Sequence, residues 1–413
     1  MKSPILRESE LSNVDTFESN TNKRAGNIVP VESGNYTIHN ITSGALIDSK
    51  LYAQSDWKEL ILEYFFELKK RGTTVKLEVY CSFLQFVSCS YVLAVVPQQL
   101  EKAGYDPHAV TCIVALTCGI GSILCGLLAN LPFIIVPPTA VAIFFSVYIQ
   151  ENKMEINHAN LAVILTGIVT ILLGFRPIGR FALFFIPGCI QIGVAVGIGL
   201  FTALAGSTDI NLVVTGEYTI VDIGLVTDTV LIAMSGVVII TVALHYHVKP
   251  AFALSIFFTT IVFWWNSDKW PNGVVSMPKF DSITPHSFVP KDIVLCFDLS
   301  TLTVLFVNGL INTLGDLSGL TRPNGDIPRS RWLYVICGAV TIISGTFNGP
   351  PVLISPESAA GIKAGAKTGL STFLCGVWFL FCIFLGPVFS VSGTVYGPYS
   401  LCAMYFMAEC YCC

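Results

Sequence analysis

Pro350-Pro351-Val352-Leu353-Ile354-Ser355-Pro356-Glu357-Ser358-Ala359-Ala360-Gly361 sets a proline-broken apolar run directly against a carboxylate. Proline lacks a backbone N–H and pushes the residue before it out of the helical region, so no regular membrane helix runs through this stretch. It reads instead as a short extended lead that opens into a half-helix. A second such stretch lies upstream, where Leu131-Pro132 and Pro137-Pro138 flank an apolar segment near 132–149. Short broken segments at corresponding positions of two halves point to a transporter's binding site. Their freed backbone groups must face protein or a water-filled cavity, because lipid cannot satisfy them.

The rest of the chain supplies the bilayer setting. Of 413 residues, 53% are hydrophobic and 12% charged, against about 25% charged in an ordinary soluble domain. Mean hydropathy is +0.69, too apolar for a soluble core, whose surface must be polar. Apolar segments lie at 78–97, 109–129, 132–149, 159–175, 181–205, 219–244, 249–266, 294–318, 331–346, 352–362 and 369–391. About 20 apolar residues cross a bilayer, so most of these qualify, and the chain reads as an all-α, multi-pass membrane protein. A net charge of −4 with no basic stripe excludes nucleic acid as a partner. No GxxxxGK[ST], HExxH or GxSxG occurs, so ATP-driven transport and proteolysis lack support. No nucleophile–base constellation suggests an enzyme, and no residue pattern calls for a cofactor or metal. The 14 cysteines lie mostly in apolar runs and read as small buried hydrophobes. Cys410, Cys412 and Cys413 form an ordinary tail or a palmitoylation site.

Three regions follow: a polar extension over 1–75, a transmembrane domain over 76–395 and a short remnant over 396–413. Within the first, Trp57 to Lys70 has the apolar spacing of an amphipathic surface helix, whose Lys69-Lys70-Arg71 end would sit at anionic headgroups. Lys69, Lys70, Arg71, Arg176, Arg180, Lys249, Arg322, Arg329 and Arg331 fall in alternate loops, and the intervening loops near 98–108, 150–158 and 206–218 carry only Lys102 and Lys153. The three lysines of the long 267–293 loop, offset by Asp268, Asp281 and Asp292, weigh little in this count. That bias places the N-terminus in the cytoplasm.

Acids inside apolar segments are costly unless they have a role. Glu357 opens a half-helix, where the helix dipole favours a carboxylate able to bind a ligand's N–H edge; an ordinary helix cap is the competing reading. Asp316 is either a coupling acid or the start of a loop. Glu78 and Asp298 read as helix-entry residues. The small residues Gly119, Gly121 and Gly126, then Gly188, Gly193, Gly197 and Gly199, allow close helix packing without any ligand.

The stretch from Glu357 to Leu370 closely resembles the ESAAGvxAGgrTGL signature of the AzgA-like adenine/guanine/hypoxanthine permeases, and the match runs on through Phe384-Leu385-Gly386-Pro387. Ser90 to Pro97 resembles that family's AYILAVNP, Gly126 to Pro132 its GLLANLP, Gly197 to Phe201 its GIGLF, and Asn312 to Gly315 its DTIGT. The resemblance covers about 78 to 391. It implies an inverted-repeat fold of seven plus seven helices with core and gate domains. The implied activity is secondary transport of a purine base with a proton (or sodium), by alternating access. The 14 cysteines and the long polar N-terminus point to the plasma membrane, with an organelle membrane the alternative.

On that resemblance the substrate-binding residues are Glu357, Ser355, Ser358, Asn312, Ala142, Phe144 and Thr139, with Glu357 coupling the proton. Asp316, one turn on from Asn312, is the further proton-coupling residue expected, in compensation for the family's aspartates. The family's PGMGLNAFF carries a base-contacting Asn where this chain has Ala142, and Gly309 and Asn312 stand where it has aspartates. Each polar partner lost from a buried base would cost roughly 1–3 kcal/mol. The chain also ends near the expected twelfth helix, so the final gate helices are expected to be missing. A homodimer partner covering the exposed faces, a fragment and a degenerate homologue acting as a membrane ligand sensor are the readings left open.

Overall fold

The computed structural model describes residues 63–175, a discontinuous set between 193 and 267, Met277, 290–321 and 327–386. The predicted remnant over 396–413, most of the polar extension and most of the apolar segment at 181–205 lie outside these residues. In the first half, α1 (Val75–Cys89), α2 (Val92–Glu101) and α3 (Pro107–Leu124, extended by a π turn over Cys125–Ala129) precede a two-residue strand β1 (Ile135–Val136). Helices α4 (Thr139–Asn152) and α5 (Ile156–Leu173) follow. After a small hairpin of β2 (Val213–Val214) and β3 (Asp222–Ile223) come α6 (Asp228–His245), α7 (Ala251–Ser267), α8 (Pro290–Ser318) and α9 (Ser330–Thr346). Strand β4 (Leu353–Ile354), α10 (Ser358–Ala364) and α11 (Gly369–Cys382) complete the described chain.

Among the described residues four helical stretches are long and apolar enough to cross a membrane: Val75–Glu101, Pro107–Ala129, Ile156–Leu173 and Ile293–Ser318. Helix α1 shows why a bilayer is their medium. Its exposed face carries Val75, Val79, Tyr80 and Phe83, whereas Glu78, Ser82, Gln85 and Cys89 are buried. Such an inside-out helix is costly in water and natural against lipid.

Sequence spacing and contacts together reveal a duplicated unit. One and the same interval separates Asn130 from Asn348, Pro132 from Pro350, Ile135 from Leu353 and Thr139 from Glu357. Both asparagines have positive φ, 51° and 60°, and turn the chain sharply out of a helix into an extended lead. Each lead is pinned by a hydroxyl on the helix before it. Ser122 Oγ accepts from Ile135 N at 3.2 Å and donates to Ile135 O at 3.4 Å. Thr341 Oγ1 does the same with Val352, at 3.1 and 3.0 Å. The helix crossings repeat as well. A Cβ on Gly376 of α11 would lie 2.7 Å from Gly119 O of α3, and one on Gly167 of α5 would lie 2.7 Å from Gly338 O of α9. Glycine is what lets these backbones touch.

Several local expectations needed correction. The surface helix covers only 63–66 among the described residues, because Glu67 takes φ 54° and ends it. Arg71 lies inward rather than at headgroups, donating to Asn130 O and Lys367 O at 2.8 Å each. Asp298 sits within α8, not at its entry, and of the apolar run predicted over 219–244 the pair Asp222–Ile223 forms a strand and Asp228 onward the helix.

Candidate substrate site

The two leads meet. Strand β1 pairs antiparallel with β4, Ile135 opposite Ile354 and Val136 opposite Leu353. The pairing extends by Ser355 N donating to Ile134 O at 2.9 Å and Ile134 N donating to Ser358 Oγ at 2.9 Å. Pro138 caps α4 and Glu357 caps α10, so both half-helices begin beside this crossing. Their N-terminal N–H groups place two partial positive charges around it.

Glu357 occupies that position and is 8% exposed. Tyr91 Oη donates to Glu357 Oε1 at 2.5 Å, and Ser355 Oγ donates to Oε2. Thr139 Oγ1, from the first turn of α4, reaches Tyr91 Oη at 3.4 Å. The thiol of Cys89 lies 3.7 Å from Ser355 Oγ. Two hydroxyl donors and two helix ends thus hold a carboxylate with no cation hydrogen-bonded to it among the described residues. A carboxylate has about four lone-pair sites, so capacity remains to accept N–H groups from a ligand.

Tyr91 reaches the site because the helix breaks beneath it. The bonds Leu93 N to Ser90 O and Ala94 N to Tyr91 O have tight three-residue spacing, and Pro97 withholds a donor one turn later. Sequence reasoning missed Tyr91 as a site residue, although it lies inside the Ser90–Pro97 block that carried the resemblance.

The residues expected in the site divide into two groups. Glu357, Ser355 and Thr139 come together, with Ala142 buried one turn beyond Thr139 on the same side of α4. Ser358 is adjacent, but its hydroxyl is engaged on both sides, accepting from Ile134 N and donating to Ser355 O at 2.7 Å. Phe144 lies on another face of α4, its ring 6.1 Å from that of Tyr148. Asn312 and Asp316 are exposed, one turn apart on α8. The buried face of that helix is Val307, Leu310, Ile311 and Leu314. The structure therefore does not bring Asn312 or Asp316 to Glu357.

The family model for xanthine/uracil-type permeases, described as a permease family, matches residues 77–408. Adenine permease AdeP of Escherichia coli K12 is 31% identical over 342 residues, covering 79% of this chain and 76% of that protein. Guanine/hypoxanthine permease GhxP of Escherichia coli O157:H7 is 28% identical over 355 residues, covering 82% and 79%. The transmembrane domain of the bicarbonate transporter BicA of a cyanobacterium superposes with a TM-score of 0.53 at 13% identity, covering 82% of this chain and 95% of that domain. At that identity the likeness is one of fold alone, and it agrees with the duplicated unit seen here. The chain belongs to the permease family, as a multi-pass membrane transport protein and not an enzyme, among relatives named for adenine and for guanine/hypoxanthine.

Proposed function

We propose that this chain is a proton-coupled secondary transporter of purine nucleobases, adenine, guanine or hypoxanthine, working by alternating access. The observation that carries the reading is Glu357, a buried carboxylate at the N-terminus of a half-helix, beside the start of a second half-helix. Guanine offers adjacent ring and exocyclic N–H groups on one edge, adenine an exocyclic amino group and a ring N–H, and hypoxanthine ring N–H groups alone. A carboxylate accepts each such N–H through a charge-assisted hydrogen bond, and takes the paired edge of guanine with both oxygens. When Glu357 is protonated its charge is gone and half of that acceptor capacity becomes a donor, so proton and base occupancy depend on each other. Tyr91 and Ser355 orient the carboxylate, and Thr139 supports Tyr91. With Ala142 where the resembling family has Asn, and with Asn312 and Asp316 on the far side of α8, recognition rests on Glu357 more heavily than the resemblance implies. The relatives named as adenine and guanine/hypoxanthine permeases support the substrate class. In this reading α1 starts at the cytoplasmic face.

The test is uptake of radiolabelled adenine and hypoxanthine in purine-uptake-deficient cells. Restored uptake that rises with an inward proton gradient is expected, and Glu357→Gln removes it. Absence of uptake from cells with confirmed surface expression overturns the assignment.

A further inference from the structure

A second buried acid lies on the same core, away from the site. Glu78, in the first turn of α1, is 0% exposed, as are Ser82, Gln85 and Cys89 further along that helix. Their spacing of four, three and four residues places them on one helix face, and that face ends at Cys89, whose thiol approaches Ser355 and through it Glu357. The row is packed, not incidental. Gly361 of α10 lies so close to Gln85 that any Cβ there would strike the Gln85 side chain.

The row also has unmet hydrogen-bonding capacity. Glu78 Oε1 accepts from Lys367 N at 3.0 Å and from Thr73 Oγ1 at 3.0 Å, but buried Glu78 Oε2 has no partner. Gln85 Nε2 donates to Pro132 O at 3.0 Å, leaving buried Gln85 Oε1 without one. Buried orphan acceptors are costly, and acids so placed within a membrane span mark ion or proton routes. A purely structural helix cap would need only Oε1. At the other end Thr74 and Val75 are exposed, so Glu78 lies one turn inside the protein surface.

We propose that Glu78 is a second proton-carrying residue, which receives the proton from Glu357 and releases it at the face where α1 begins. The assignment rests on the proton-coupled reading of Glu357. In the transfer, the O–H proton of protonated Glu357 passes through water molecules bound against Gln85 Oε1 and Glu78 Oε2. Glu357 is left a carboxylate and Glu78 becomes a neutral acid; bulk water then takes the proton. The charged groups nearest Glu78 are Arg71 before α1 and Lys367 in the α10–α11 connector, with Lys76 exposed in its own turn and Lys363 exposed at the end of α10. None forms an ion pair with Glu78 among the described residues. Arg71, outside the membrane span, has its pKa lowered chiefly by burial, with Glu67 and Glu78 opposing the shift.

The experiment uses the full chain in proteoliposomes with radiolabelled adenine, measuring base exchange at equal pH and accumulation on a pH gradient. Glu78→Gln is expected to keep exchange at the wild-type level and to lose gradient-driven accumulation, with Glu78→Asp restoring part of it. Gln85→Leu, which leaves both contacts of Glu78 Oε1 intact, is expected to show the same split and decides the matter if Glu78→Gln does not fold. Exchange and accumulation falling together, or accumulation persisting in both variants, overturns the role of Glu78. A wild-type chain that exchanges adenine but never accumulates it on the gradient overturns the proton reading of Glu357 itself.

Discussion

The lead into α4 and the lead into α10 share a backbone plan and differ in chemistry. Both leave a helix through a left-handed asparagine, both are pinned by one hydroxyl, and they pair with each other. Yet where the second has Ser355-Pro356-Glu357, the first has Pro137-Pro138-Thr139. Ser355 gives its N–H to Ile134 O and its hydroxyl to Glu357; Pro137 at the matching position has neither group to give. The duplicated frame builds a crossing with two helix N-termini, and only one of its copies carries the charge. Symmetry makes the crossing, and its local breaking places a buried carboxylate at one of the two helix ends.

The largest expected effect comes from exchanging charge for neutrality on one side only. Glu357→Gln removes charge-assisted hydrogen bonds worth about 1.5–3 kcal/mol each, so base uptake should fall by about 10- to 100-fold for each bond lost. Gradient-driven accumulation should vanish with the titratable group. Thr139→Val, at the matching position, removes only a 3.4 Å contact to Tyr91 and should leave uptake within about threefold of wild type. Equal losses in the two variants would mean that the two leads contribute alike, and the asymmetry would have no functional content. Tyr91→Phe falls between them. Removing the donor to Glu357 Oε1 should raise KM by up to about tenfold, read in the same uptake assay against transporter density at the surface.

The helix crossings should behave in the opposite way, as equals. Gly376→Ala and Gly167→Ala each place a Cβ 2.7 Å from a partner carbonyl, that of Gly119 in one repeat and Gly338 in the other. Backbone atoms cannot yield as a flexible side chain does, so each substitution should destabilise the core by about 1–3 kcal/mol. Thermal unfolding of the detergent-solubilised protein would register it. A large gap between the two would show that the repeats are not equivalent in packing.

Much of this frame was legible in the sequence, because proline acts locally. The pairs at 137–138 and 350–351, with Pro356, exclude helix wherever they fall, and Glu357 stands out as an acid in an apolar run. Pairings between distant residues were not legible. Nothing local announces that Gly376 meets Gly119, or that Lys367 N meets Glu78, which read as a plain helix entry. Helix phase was hidden for a different reason. Helix α8 is apolar on several sides, with Phe297 and Leu317 exposed and Val307 and Leu314 buried, so no hydrophobic stripe marks its packed face. Asn312 was therefore credited to the site from resemblance and Asp316 as an acid in an apolar run, and the structure puts both on the exposed side. Tyr91 was missed because an aromatic within an apolar segment carries no signal until the break beneath it is seen.

The smallest effect separates the two turns that start the leads. Glycine adopts positive φ freely, so Asn130→Gly and Asn348→Gly both keep the turn and test the side chain alone. Asn130 Oδ1 accepts from Gly369 N at 2.8 Å, and Gly369 is fully within the packed helix crossing. Removing the acceptor there strands a buried backbone donor, at about 1–3 kcal/mol. Asn348 Oδ1 accepts instead from Asn160 Nδ2 at 2.7 Å, and Asn348 itself is only half-buried. Asn160 is itself buried, but removing the half-buried Asn348 side chain opens its position to water, which can take the place of the lost oxygen, so the cost should stay below about 1 kcal/mol. Thermal unfolding should rank Asn130→Gly below Asn348→Gly and both below wild type. The reverse order would place the more sheltered turn in the second repeat, contrary to the burial that distinguishes them.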